Sequence, residues 1–242
     1  MISGWLLFCL LAVGWTSFAP SPFRMPDRFK VQFDELIYVY NESAPGGIAR
    51  LQGNASGSWT YEVATKHWIY EHGAHGFFSE FCAANDPARQ RCWLHFDGND
   101  DLKILYNNGT CCSLCAAREG CSFLRPDWLT FGNFTPIPQP PIVVAGDECT
   151  GWGRPGAVTS VDAWFTTEVG TPCLYFERFV LPTLGTVYHN VTFRRDTFST
   201  DPLSDDTWKL PASCSNVCPK HGYPPKFSAF LDTASTSSNF VV

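Results

Sequence analysis

Charged residues are scarce in this sequence, and its basic residues form no cluster. Asp, Glu, Lys and Arg make up 17% of the 242 residues, whereas hydrophobic residues make up 45%. A chain of this composition folds around an apolar core rather than staying disordered. The net charge of −6, without a run of Lys or Arg, argues against nucleic acid as a partner. The length suffices for one large domain and is marginal for two.

The sequence also lacks the motifs that mark common enzyme sites. It has no G-x-S-x-G nucleophile elbow, no H-E-x-x-H helix and no glycine-rich phosphate loop. Its acidic pairs, at residues 100–101 and 205–206, lie in turn-like sequence, where carboxylates cap backbone N–H groups. We therefore expect no catalytic residues and no cofactor, while a hydrolase assembled from distant residues stays the minor alternative.

No stretch has the apolar period of a three-turn amphipathic helix. Apolar and polar residues instead alternate along five segments, which is the pattern of half-buried β-strands. In the last segment Asn190 belongs to a glycosylation sequon, and a glycan must face solvent. Val187, Val191 and Phe193, on the opposite face, should therefore point inward. The five segments are residues 29–33, 59–63, 161–165, 174–177 and 187–193.

Clusters of Gly, Pro, Asn, Asp and Ser mark the connections between strands. The 18 prolines favour extended and edge segments, and their densest run, residues 136–141, either divides two halves or forms a covered loop within one domain. Short helical pieces are expected within residues 113–119 or 127–129. The sequence thus predicts an all-β fold with one antiparallel sheet system of about eight to eleven strands. Turns are predicted at residues 45–47, 54–58, 98–100 and 107–109.

Residues 1–19 have the features of a secretory signal peptide. The apolar run at residues 5–13 is too short to cross a bilayer, and small residues precede a cleavage site near residue 19. An uncleaved anchor is the alternative, but no stop-transfer pattern or flanking charge supports it. Residues 20–219 are then expected to form a single disulfide-rich β domain. Residues 220–242 are expected to form a flexible tail, too polar for a lipid-anchor or transmembrane signal.

Ten of the 11 cysteines follow the predicted signal, and an even number is typical of a secreted or lumenal protein with up to five disulfides. The dense cluster at residues 111–121 could bind zinc or exchange thiols, but disulfides are the stronger expectation in a secreted chain. Adjacent Cys111 and Cys112 cannot easily bond each other, so they should join different elements. Cys214 and Cys218 should fasten the C-terminal part to the body. The ten are Cys82, Cys92, Cys111, Cys112, Cys115, Cys121, Cys149, Cys173, Cys214 and Cys218.

Five N-x-S/T sequons give an independent sign of an extracellular glycoprotein. One or two would be expected by chance, but five together with a signal and ten cysteines are hard to dismiss. They lie at Asn41, Asn54, Asn108, Asn133 and Asn190.

One histidine cluster could offer metal ligands or a catalytic base. If its segment is a strand, His67 and His72 fall on opposite faces, so a turn near Gly73 would be needed to bring the rings together. We favour surface histidines over a metal or hydrolase site. The candidates are His67, His72 and His75, with Glu71 or Glu80.

Aromatic residues, at 15% of the chain, exceed what one sheet layer needs. In a curved sheet with few helices, aromatic rings line the concave face and no helix covers it. Such a face is an apolar pocket. An ordinary sheet core explains any single ring. The alternative use of the rings is adhesion to protein or glycan through exposed Trp152 and Trp164. The expected ligand-binding face comprises Phe29, Val31, Phe33, Trp59, Tyr61, Trp68, Tyr70, Phe165, Phe176, Val191 and Phe193.

An ordered series of motifs resembles the ependymin-related and LolA/LppX-like proteins over about residues 29–219. The resemblance implies a strongly curved antiparallel half-barrel whose concave face holds a lipid or other hydrophobic ligand, and it supplies no catalytic residues. A homodimer and a peripheral membrane contact are left open as further partners. The motifs are residues 59–62, 111–121, 126–129, 146–149, 151–152, 162–165, 189–193 and 210–214, with Pro172 and Phe198.

Overall fold

The computed structural model of the protein consists mainly of β-strands, as the alternation predicts. Its described residues are 23–41, 48–73, 91–119, 121–155, 161–181 and 185–218. The strands are β1 (Arg28–Asn41), β2 (Ile48–Glu62), β3 (His67–His72), β4 (Cys92–Phe96), β5 (Leu102–Tyr106), β6 (Cys111–Cys115), β7 (Thr135–Pro136), β8 (Ile142–Val144), β9 (Asp147–Pro155), β10 (Val161–Thr166), β11 (Pro172–Leu181) and β12 (Gly185–Ser199). The helical pieces are α1 (Trp128–Phe131) and three 3₁₀ turns, Ala117–Glu119, Asp205–Trp208 and Ala212–Ser215.

All twelve strands of the described residues belong to one antiparallel sheet that does not close, in agreement with the predicted fold class. Their order is β6-β5-β4-β3-β2-β1-β12-β11-β10-β9-β7, and β8 pairs with β9 beside this path. The sheet has one strand more than the upper bound expected from the sequence. The short strands β7 and β8 contain only two and three residues, too few for an alternation signal.

The sheet bends strongly, so its two faces are different environments. Strands β2 and β10 are separated by three other strands, which would place them about 19 Å apart in a flat sheet. The ring centroids of Trp59 on β2 and Trp164 on β10 nevertheless lie only 6.0 Å apart. The face that carries both tryptophans is therefore concave, and we call the two sides the concave face and the convex face.

Strand β12 confirms the inward direction that was inferred from the Asn190 sequon. Val187, Val191 and Phe193 are at most 2% exposed, and Phe193 lies opposite Phe33 of β1 in the register of the two strands. Val191 and Phe193 belong to one apolar cluster with Phe29, Val31 and Phe33 of β1. Period two therefore sets which side chains enter the core.

Residues 121–134, here called the covering segment, pack onto part of the concave face. The Tyr61 hydroxyl donates a hydrogen bond to the Leu124 carbonyl at 2.7 Å, and the Met25 N–H donates to the Pro126 carbonyl at 2.7 Å. The expectation of an uncovered concave face is therefore wrong for this part. A segment with almost no helical period still supplies four large buried side chains, Leu124, Trp128, Leu129 and Phe134.

The disulfides attach both the covering segment and the C-terminal part to the edge strand β6. Cys111 and Cys112 bond to Cys214 and Cys218, respectively, so the adjacent cysteines do not pair with each other. Cys115 bonds to Cys121 at the start of the covering segment. The zinc alternative for this cluster is therefore wrong. A further bridge joins Cys149 to Cys173, and Cys92 bonds to a partner outside the described residues, where Cys82 also lies.

The C-terminal part covers a face and an edge of the sheet. The Trp208 ring lies 5.1 Å from the His67 ring on the convex face. The Ser113 N–H of β6 donates to the Asn216 carbonyl at 2.6 Å, which pairs the exposed edge and blocks addition of another chain there. The expected fastening by Cys214 and Cys218 is thus confirmed. Several disulfides indicate an oxidising, secretory or extracellular compartment, and among the described residues no helix is long and apolar enough to span a membrane.

One predicted turn is wrong, and two others are confirmed. Residues 54–58 belong to β2, because β1 pairs with all of them and β3 pairs with Ser58 at their end. Gly57 serves close packing there, since a Cβ atom would collide with the Phe33 ring and the Glu71 carbonyl oxygen. Turns occur at residues 98–100 and 107–109. The turn at residues 45–47, the signal and the tail lie outside the described residues.

Truncation of the covering segment should cost stability because its side chains fill the concave face. Leu129 is fully buried, so Leu129→Ala should lower the free energy of unfolding by about 2–5 kcal/mol. Thr130→Ala, on the next and exposed residue, is the control and should change it little. Urea unfolding followed by tryptophan fluorescence measures both, and equal effects of the two variants would contradict this packing.

Candidate functional site

Nine of the eleven predicted ligand-binding residues lie together on the concave face. Eight are at most 5% exposed, and Tyr70 is half-buried at the border of the apolar cluster. The other two, Phe165 and Phe176, follow Trp164 and Tyr175, whose rings contact each other at 4.8 Å on the concave side. Because successive side chains of a strand alternate, Phe165 and Phe176 lie on the convex face. Their assignment to the same face is therefore wrong.

Three half-buried rings form the border between the covered part of the concave face and its other end. Trp164 meets Trp128 of the covering segment edge to face at 4.9 Å. Tyr70 stacks on Phe33 at 4.6 Å, and Tyr175 contacts Trp164. We call Tyr70, Trp164 and Tyr175 the border rings. They are packed on one side by the core and partly exposed on the other.

Beyond the border rings, the concave face carries a cluster of ionisable groups on an otherwise apolar sheet. Glu35 is 1% exposed, and its Oε1 lies 2.7 Å from Nε2 of His189. The His189 Nδ1 is 3.5 Å from Oε2 of Glu177, and the His72 Nδ1 is 3.8 Å from Oε2 of Glu35. The four side chains come from four different strands. We call them, with Asp162, the polar end of the concave face.

The polar end continues to the exposed border of the sheet. Arg154 on β9 donates to Asp162 on β10, with the Nε atom 3.3 Å from Oδ2. Burial and the neighbouring charge of Glu177 raise the pKa of Asp162. Burial likewise raises the pKa of the Tyr175 hydroxyl well above its usual value. Glu177 is 28% exposed at its side chain, so this part of the network can be reached from solvent.

Glu35 and His189, the innermost pair of the polar end, stay charged over a wide pH range. Burial alone would raise the pKa of Glu35, but the hydrogen bond from His189, with His72 close by, lowers it to about 2. Burial alone would lower the pKa of His189, but Glu177 and Glu35 raise it to about 9. A general acid or base works best with a pKa near the working pH, and neither group has one. The pair is suited to fixing structure and orienting a polar group.

The structure does not bring together the two histidines of the candidate cluster that it describes. His67 and His72 lie on opposite faces of β3, as an uninterrupted strand requires, and His75 and Glu80 lie outside the described residues. The expectation of surface histidines is wrong for His72, which is 8% exposed, because β3 lies inside the sheet. Glu71 instead pairs with Arg91. Within the described ranges, no group of three His, Cys, Asp or Glu side chains could hold a metal ion.

The convex side of β3 and β4 holds a second pair of histidines. His67 and His95 contact each other at 5.8 Å and both lie against Trp208. Burial lowers the pKa of His95 to about 4, and it also lowers the pKa of His67. These neutral rings hold the C-terminal part by packing.

Sequence reasoning missed the polar end because its members are far apart in the chain. Only the strand register brings Glu35 beside His189. A weak signal exists, since Glu35 and His189 both occupy inward positions of alternating strands, between apolar neighbours two residues away. A polar residue at an inward position is unusual and requires a buried partner.

No protein-family model matches the chain, and no curated protein matches it significantly.

The charged pair should give stability a defined pH window. Glu35 contributes its full share to the free energy of unfolding above its ordinary pKa of 4.5, and this contribution is lost as the pH falls toward 2. His189 contributes its full share below its ordinary pKa of 6.5, and this contribution is lost as the pH rises through about 9. Glu35→Gln should therefore lower the free energy of unfolding most between pH 4.5 and pH 6.5, by about 3 kcal/mol, because it breaks a buried ion pair. Thermal unfolding from pH 3 to pH 10 measures this difference.

The control is Asp34→Asn on the neighbouring residue. Asp34 pairs with Arg194 on the exposed face, and exposed pairs contribute little, so this variant should follow the wild type at every pH. A Glu35→Gln effect that is constant from pH 3 to pH 10 would contradict the charged pair.

Proposed function

We propose that the protein is a secreted glycoprotein that binds a lipid or another hydrophobic ligand on the concave face, and that it is not an enzyme. The ligand's apolar part lies against the border rings, and its polar group meets the polar end. The resemblance to ependymin-related and LolA/LppX-like proteins supports the same class of ligand. Because the covering segment fills the rest of the face, the site is smaller than a fully open half-barrel.

One observation carries this proposal: a buried ion pair lies next to half-buried aromatic rings. The His189 ring is 5.8 Å from the Tyr175 ring, and the His72 ring is 4.8 Å from the Tyr70 ring. Removing charges from water costs several kcal/mol per ion, so such a cluster is seldom kept in an apolar face for stability alone. Apolar walls with a few convergent polar groups are typical of ligand sites.

The charges of the polar end favour ligands with some polar head groups over ligands with others. Three carboxyl groups, from Glu35, Asp162 and Glu177, face the Arg154 guanidinium and two imidazoles. The carboxyl group of Glu177, whose side chain is 28% exposed, can be reached from solvent. A hydroxyl or amine on the ligand can donate to this acceptor, whereas a free carboxylate would be repelled. We therefore expect long-chain alcohols or amines to bind more tightly than fatty acids.

A recognition module that uses exposed aromatic rings is the second candidate. Trp152 is only 7% exposed and packs against Phe23, and Trp164 lies on the concave side, so neither tryptophan provides an exposed patch. Half-buried rings on the convex face remain available, and two of them, Phe176 and Tyr188, lie 6.0 Å apart. Binding of a protein or glycan partner would then depend on Phe176 rather than on Tyr175.

The test uses the full chain purified from a eukaryotic secretory host. N-phenyl-1-naphthylamine, an uncharged fluorescent probe, should brighten on binding, and oleyl alcohol and oleylamine should displace it at lower concentrations than oleic acid. Tyr175→Ala should weaken probe binding about tenfold, which corresponds to 1.4 kcal/mol.

The matched control is Phe176→Ala, a half-buried ring on the same strand but on the opposite face. It should leave the probe affinity unchanged. Absence of probe binding, together with absence of lipid in an organic extract of the protein, would refute the proposal. A loss of binding in Phe176→Ala but not in Tyr175→Ala would favour the recognition module.

A further inference from the structure

Two glycosylation sequons share one row of the convex face. Leu36 in the central strand β1 lies opposite Asn54 of β2 on one side and opposite Asn190 of β12 on the other. Two strand spacings separate the two asparagines, which amounts to about 10 Å. Asn54 is exposed and Asn190 is half-buried. The sheet register, which the sequence does not show, thus brings two predicted glycan sites together.

Two half-buried aromatic rings lie next to Asn190 on this face. Phe176 of β11 lies directly opposite Asn190, and Tyr188 precedes it by two residues on the same side of β12. The Phe176 and Tyr188 rings are 6.0 Å apart. Residues opposite each other in a sheet have Cβ atoms about 5 Å apart. Both rings are therefore within reach of a sugar attached to the Asn190 amide.

The sequons at Asn108 and Asn133 lie in a different setting. Asn108 lies in the exposed turn between β5 and β6, where its Oδ1 accepts the Thr110 N–H at 2.9 Å. Asn133 is exposed in the covering segment. The Asn41 side chain is outside what the structure describes. In the described part of the chain, Asn190 is the sequon with aromatic rings both beside it and opposite it.

From this row we infer that the protein's own N-glycans cover the convex apolar surface, and that the first sugar on Asn190 packs on Phe176 and Tyr188. The face of an aromatic ring carries negative potential, and the C–H bonds of a pyranose carry partial positive charge, so the two surfaces attract. The glycans on Asn54 and Asn190 would keep another protein from this surface. The inference rests on the secretory location in the proposed function, but not on ligand binding.

The experiment compares glycoforms of the full chain secreted by cells that make only high-mannose glycans. Endoglycosidase H leaves one sugar on each asparagine, whereas peptide N-glycosidase F removes all of them and leaves aspartate. Thr192→Ala removes the Asn190 sequon and keeps the asparagine. Thr110→Ala, which removes the Asn108 sequon in the exposed turn, is the matched control. Mass spectrometry of peptides gives the occupancy of each site.

We expect Asn190 to be occupied and the form with one sugar to match the intact protein. The Thr192→Ala variant and the fully deglycosylated form should self-associate in sedimentation and melt about 2–4 °C lower, while Thr110→Ala should behave like the wild type. Adding Phe176→Ser to Thr192→Ala should restore the monomer by removing the uncovered ring.

Several results would overturn the inference. If glycans occur at other sequons but not at Asn190, the inference is wrong and the secretory location still stands. If no sequon carries a glycan, both the inference and the secretory location are wrong. Equal melting and sedimentation of Thr192→Ala and Thr110→Ala would show that no ring is covered. A glycosylated dimer that Phe176→Ser dissociates would assign the surface to a second copy. Probe binding to the concave face is measured separately on the same samples, so its failure affects only the ligand proposal.

Discussion

Pairing of β1 with β12 joins the beginning of the sheet to its end, and most other features depend on it. Residues about 160 positions apart meet in this register, including Phe33 with Phe193 and Leu36 with Asn190. The pairing places β2 and β11 on either side of the two central strands, and the bend across them brings Trp59 to Trp164. Without this contact the concave cluster, the Glu35–His189 pair and the convex row of sequons would all be lost.

The concave face combines two environments that are physically opposed. The covering segment, held by the Tyr61 hydroxyl and the Cys115–Cys121 bridge, excludes water from a set of stacked rings. A few ångströms beyond, Glu35 and His189 remain charged because each satisfies the other in the same poorly solvated place. A buried pair of this kind gives little net stability compared with apolar residues of similar size. In the proposed binding site, the pair would serve to orient the polar group of the ligand.

Prediction from sequence succeeded where a local pattern carried the information. Alternation identified the strands and the inward direction of Val187, Val191 and Phe193, and the adjacency of Cys111 and Cys112 excluded a bond between them. It failed where the outcome depended on distant partners. The Asn- and Ser-rich residues 54–58 have turn-like composition but become strand, because all five pair with the distant strand β1. The covering segment has no period that predicts its burial. The Glu35–His189–Glu177 cluster could be anticipated only as polar residues at inward positions.

The sequence by itself determined the fold class and the oxidising chemistry, because strand alternation and cysteine number are local or additive properties of the chain. It also determined which side of β1, β2 and β12 is apolar. Only the tertiary structure decided that Phe165 and Phe176 lie opposite the other rings, that the concave face is partly filled, and that two sequons flank Leu36. Those facts follow from register and bending between strands far apart in sequence, and no single strand contains that information.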